Sequence, residues 1–77
     1  MTKRRLINIK AYNELLLLKK LAKSDENNKY TVSIQVNDND NEEFVIEHYE
    51  DDEWISTIVG ENYTVVSKML IDYLSKL

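Results

Sequence analysis

Nine carboxylates stand within residues 38–53: Asp38, Asp40, Glu42, Glu43, Glu47, Glu50, Asp51, Asp52 and Glu53, with no lysine or arginine among them. Oxygen ligands this dense can hold calcium. A helix–loop–helix calcium site takes them at loop positions one, three and five, with glycine at six and a glutamate at twelve. Counting from Asp38 supplies Asp40 and Glu42, but Glu43 falls at the glycine position and Tyr49 at that of the closing glutamate. The motif fails, which leaves only a loose attraction of divalent ions to the turn, and no metal site is expected.

The single histidine, His48, lies in "EHYEDDE". A zinc site takes at least three protein ligands with imidazole or thiolate among them, and the chain has no cysteine. An imidazole can act as a general acid or base near neutrality. No nucleophile is paired with this one, since Ser24, Ser33, Ser56, Ser67 and Ser75 lie in no elbow-like or triad-like motif. With Gly60 the only glycine, there is no phosphate-cradling loop either. The expected role of His48 is that of a strand-end histidine beside acids, with Glu50 on its face. Neither enzymatic activity nor a cofactor is expected.

The elements that position these residues follow from periodicity. Ala11, Leu15, Leu18 and Ala22 recur at helical spacing after Asn8, a suitable N-cap, and the helix fails in the polar "SDENN". "YTVSIQV" alternates, with Tyr30, Val32, Ile34 and Val36 on one side, and "EFVIEHYE" forms a second strand with Phe44 and Ile46 inward. "NDNDNE" between them is a turn cluster, because Asn and Asp tolerate left-handed backbone, so the pair is a hairpin. "WISTIVG" is β-branched enough for a third strand, although a short helix capped by Asp51 and ended by Gly60 is the competing reading. Val66, Met69, Leu70, Tyr73, Leu74 and Leu77 form a last helical stripe, capped by Asn62 or Thr64.

The expectation is an α+β fold of one domain, 1–77, in the order helix, three-stranded antiparallel sheet, helix (αβββα), with two layers. Tyr30, Val32, Ile34, Val36, Phe44 and Ile46 should meet Leu15, Leu18, Val66, Leu70 and Leu74 in its core. At 43% hydrophobic and 31% charged, a chain of 77 residues has the makings of a soluble fold rather than a disordered tail. The longest apolar run, Leu15 to Leu18, is too short for a membrane span or a signal-peptide core. With no disulfide to form, an intracellular, cytoplasmic location is expected.

Charge is divided along the chain. Residues 1–23 carry seven positives against Glu14 alone, and the remainder carries three positives against thirteen carboxylates. Mutual attraction of the two halves is one reading of this division, and partner binding is the other.

Helix, three strands, helix is also the order of double-stranded RNA-binding domains, which grip phosphate with basic residues near the start of the last helix. Here that region reads "ENYTVVSK", with Glu61 in front and only Lys68 in support, so direct nucleic-acid binding is not expected. In layout and acidity the chain instead resembles small phage-encoded anti-CRISPR proteins. One type of these is an acidic αβββα protein that occupies a DNA-binding site on its target nuclease. "NDNDNEEFVIE" is similar to a hairpin of that type. The resemblance implies an inhibitor that imitates DNA, and it carries over no individual binding residue.

The expected function is therefore a non-catalytic protein-binding module or inhibitor. Asp38, Asp40, Glu42, Glu43, Glu47, Glu50, Asp51, Asp52 and Glu53, with Trp54, would bind the basic surface of a partner, such as a nucleic-acid-binding protein. Trp54 adds a large aromatic to an acidic rim, the composition of many binding hot spots, although a core position is the commoner reading of a lone tryptophan. The alternative is a homodimeric regulatory or structural adaptor. Leu15 to Leu18 point in four directions around a helix of which only one stripe is buried, and surplus apolar surface on the first helix or the last puts Leu16, Leu17 and Ile71 under suspicion as dimer contacts.

Overall fold

The computed structural model describes residues 9–77. Its elements are α1 (Ile9–Leu21), β1 (Asn28–Val36), β2 (Glu42–Glu50), β3 (Glu53–Gly60) and α2 (Tyr63–Ser75), an α+β fold in the order αβββα. Asn8, the expected cap of α1, lies outside the described residues. The segment from Trp54 to Val59 is a strand, so the β-branched residues Ile55, Thr57, Ile58 and Val59 prevail over the helical reading.

The three strands form one antiparallel sheet with β2 in the centre. Val32 pairs with Ile46 and Ile46 with Ile58, which sets a row of apolar side chains across all three strands. Ile34 pairs with Phe44 on the same face. Leu18 and Ala22 from the first helical segment, and Val66 and Leu70 from the last, close over this face, so both helices lie on one side of the sheet. Leu18, Ile46, Val66 and Leu70 are fully buried, and each such side chain contributes about 1.5–3 kcal/mol relative to an exposed one.

Local chemistry places the ends of the elements. Lys19 and Lys20 in the last turn of α1 complement the negative end of its dipole. The carboxylate of Asp25 then accepts the N–H groups of Asn27 and Asn28 at 2.9 and 2.7 Å, turning the chain into β1. Those two bonds, that of Asn28 first, hold the Asp25 carboxyl below its ordinary pKa. Asn37 performs the same task in the β1–β2 loop, where its side chain accepts from the N–H groups of Asn39 and Asn41. Asp40 there has φ 63°, and both central residues of the β2–β3 turn, Asp51 and Asp52, have positive φ (51° and 69°), the pattern of a two-residue type I′ hairpin. Asn62 caps α2 by accepting from the Val65 N–H at 2.9 Å.

Gly60 is required by close approach. A Cβ there would lie 2.9 Å from the Cβ of Val66 and 3.1 Å from its backbone N and Cα, so α2 could not sit this near β3 over any other residue.

One expected core position, two residues of the expected last stripe and Trp54 are exposed. Val36 is exposed, because it pairs with Glu42 at the far end of β1, past the helices that cover the sheet. Met69 lies on the flank of the α2 stripe and Leu77 beyond the helix end, and both are exposed. Trp54, whose commoner reading was a core position, is 58% exposed.

Candidate protein-binding surface

Sheet parity decides where each carboxylate of residues 38–53 goes. Residues 44, 46 and 48 of β2 face the helices, so 43, 45, 47 and 49 face the opposite, open side, which no element among the described residues covers. Glu43 and Glu47 therefore stand on the open face. Glu43 accepts from the Gln35 amide at 2.8 Å, and Glu47 from the Thr31 hydroxyl at 3.4 Å. Asp38 and Asp40 lie in the β1–β2 loop beside Glu42, while Glu50, Asp51, Asp52 and Glu53 form the β2–β3 turn at the other end of the hairpin. The nine acids thus make a line rather than a patch. With a rise of about 3.4 Å per residue, that line follows β2 for about 27 Å, with a cluster at each end.

Apart from Asp40, none of the nine forms an ion pair among the described residues, and neither do Lys19, Lys20 and Lys23. Asp72 pairs with Lys76 at 3.0 Å within the last helix. Lys10 and Asp40 apart, mutual attraction between the two halves of the chain is not expressed as ion pairs among the described residues.

Trp54 belongs to the open face for a reason that the sequence conceals. The ladder slips between His48 and Tyr49: His48 is opposite Ser56 and Tyr49 opposite Trp54, so Ile55 is the extra residue of a bulge. The bulge turns Trp54 to the side of Tyr49, and its indole N–H donates to the Thr57 hydroxyl on that same face at 2.8 Å. Tyr49, Trp54, Val45 and Val59 therefore share the open face with Glu43 and Glu47, although of these only Trp54 and the two acids were candidates from sequence. Val45 is buried there. The missed signal was odd-number parity along "EFVIEHYE".

A second acidic feature is an open groove of about 500 Å³ near the β1–β2 loop, lined by Glu14, Glu42 and Glu61 beside Lys10. Among the described residues, no group of three or more His, Asp and Glu side chains is arranged to hold a metal ion.

His48 departs from its expected role. It is 2% exposed, in the core rather than at a wet strand end, because it continues the inward parity of Phe44 and Ile46. Its Nε2 meets Asn28 Oδ1 at 2.9 Å, and its Nδ1 meets the Tyr73 hydroxyl. Asn28 turns its amide nitrogen to the Asp25 carboxylate at 3.4 Å, which leaves its oxygen for the histidine. Nε2 therefore carries the proton, and the Tyr73 O–H donates to Nδ1. Tyr30 stacks on the ring at 4.3 Å between centroids, and its burial is the main reason that its phenol pKa is raised. The space bounded by Tyr30, His48, Ser56 and Tyr73 is too small to admit even a water-sized ligand.

No helix among the described residues is long and apolar enough to cross a membrane. No family model, no curated protein and no solved structure matches this chain.

Proposed function

We propose that this chain is a non-catalytic protein-binding module, an inhibitor whose acidic hairpin enters a basic groove on a partner and stands in for nucleic acid there. The observation that carries this reading is the line of carboxylates along the hairpin, for which, Asp40 apart, no ion pair is present among the described residues. Four of the nine, Glu42, Glu43, Glu47 and Glu50, lie along the roughly 27 Å of β2, and the other five crowd the loop and turn at its ends, so the hairpin presents an elongated surface of one sign. Like charges held this close repel, and they focus a potential that speeds encounter with a cationic surface and offsets the repulsion on binding. Trp54, exposed beside the acidic turn, supplies the apolar contact that such a charged rim lacks. A basic nucleic-acid-binding protein in the cytoplasm is the class of partner that fits.

The enclosure of His48 supports the non-catalytic part. The one imidazole is held by Asn28 and Tyr73 with no room for a substrate at its ring.

A second reading, a homodimeric adaptor, is favoured by a separate observation: Leu16, Leu17 and Ile71 are exposed on the two helices. Light scattering at high micromolar concentration distinguishes the two, since a monomer mass removes the dimer. The first reading is tested by pull-down from the cell of origin, with the triple charge reversal E47K/E50K/D52K as control. A basic partner recovered by the native chain alone supports it, and equal recovery by both contradicts it.

A further inference from the structure

β1 and β3 are both edge strands, and their outer edges are finished differently. At the start of β1 the Asn28 N–H is taken by the Asp25 carboxylate and the Tyr30 N–H by the Ser24 hydroxyl at 3.0 Å, while Lys29 adds a cation. A loop and a charge blunt that edge. The edge of β3 has no such cover: among the described residues, no loop backbone and no side chain bonds its outer peptide groups. Its sequence, "EWISTIVG", contains neither proline nor lysine, and Trp54, Ile55 and Val59 remain exposed along it. An edge of this kind is a template for an added strand.

Charge selects the occupant. In antiparallel pairing with a second copy, Glu53 at one end of β3 would meet Gly60 and Glu61 of the other copy, with the Glu50 to Glu53 turn beside them. Like charges would then face each other at both ends of the new ladder, which disfavours it. A strand rich in arginine or lysine finds the opposite sign at both ends. Its alternate side chains, about 7 Å apart, would lie over the open face beside Trp54, whose indole attracts a guanidinium. Glu47 stands one strand further in, about 10 Å from the added backbone and within reach of a long basic side chain.

We propose that β3 is a docking edge on which an extended, basic segment of a partner protein adds as a fourth strand, with its arginine or lysine side chains laid over Trp54 and toward Glu47. This inference rests on the acidic-surface reading above and specifies how the partner engages it.

The test uses the full chain, labelled with ¹⁵N, and a blocked peptide of alternating arginine and valine. A second peptide of equal charge is N-methylated at alternate residues, so that it cannot pair as a strand. The unmethylated peptide should bind at least about tenfold more tightly, slow the hydrogen exchange of alternate β3 amides, and lose affinity in Trp54→Ala but not in Ser33→Ala on β1. Equal binding of the two peptides overturns the strand addition while leaving the acidic surface as a binding site for basic partners. Binding by neither overturns both. Strand addition that survives Trp54→Ala undiminished removes the assignment of the open face.

Discussion

The Tyr73 hydroxyl donates to Nδ1 of His48, joining the last helix to the central strand through a part-buried polar contact. Every polar atom of this cluster has a partner: no buried side-chain nitrogen or oxygen among the described residues lacks one. Removing one member leaves the next unsatisfied. Tyr73→Phe should therefore destabilise the fold by about 1–3 kcal/mol, the penalty for a buried acceptor without a donor. Urea denaturation checks this, and His48→Leu, which removes the group that needs satisfying, should lose less in the Tyr73→Phe background than in the native one.

Gly60→Ala should destabilise by about 1–3 kcal/mol, because its Cβ would press on the Cβ and backbone of Val66, and α2 must move to make room. For a domain of this size that corresponds to a drop in Tm of roughly 4–8 °C per kcal/mol, readable by circular dichroism. An unchanged Tm would show that α2 is not held this close to β3.

The β2–β3 turn should respond in the opposite direction. Asp51 and Asp52 both occupy left-handed backbone, where Asn and Gly are easier, and both add charge to a crowded end. Asp51→Asn combined with Asp52→Gly should raise the Tm, because Asn and Gly adopt the left-handed backbone of this turn with less strain. On the proposed function, the same double variant should bind the partner more weakly, so stability and binding would move apart.

These positions show what was legible in the sequence. The period-2 alternation of "YTVSIQV" and the stripe of Val66, Leu70 and Tyr73 carried the order of elements, because one-sided burial imposes those periods directly. The burial of His48 was also within reach, since parity with Phe44 and Ile46 places it inward, but its acidic neighbours suggested a wet strand end. Exposure at Val36, Met69 and Leu77 was not legible, because it depends on how far two helices reach over a sheet. The place of Trp54 depends on one bulged residue, Ile55, and a register slip leaves no mark in composition. Of the acidic candidates, sequence named all nine but could not show that parity and two turns spread them along the hairpin.

Acid should unfold the chain partly through Asp25. Its carboxyl is held below the ordinary value of 3.8, chiefly by the Asn28 N–H, so the stability that it contributes is present above pH 3.8 and is lost as pH falls through the lowered folded value. In Asp25→Asn that component of the acid limb should disappear, leaving a shallower fall in stability below pH 3.8. An acid limb identical in the two proteins would show that the loop carboxylate does not contribute.

The most direct test of the acidic line is its kinetics. Association of the native chain with the partner recovered by pull-down is measured against ionic strength and compared with E47K/E50K/D52K, whose three positions span the open face and the β2–β3 turn. The native association rate should fall steeply as salt rises, and the triple reversal should lower it by at least about tenfold at low salt while its folding stability changes little. An association rate and affinity unchanged both by the reversal and by salt well above physiological strength would contradict the proposed function and leave the nine carboxylates as a solvated hairpin.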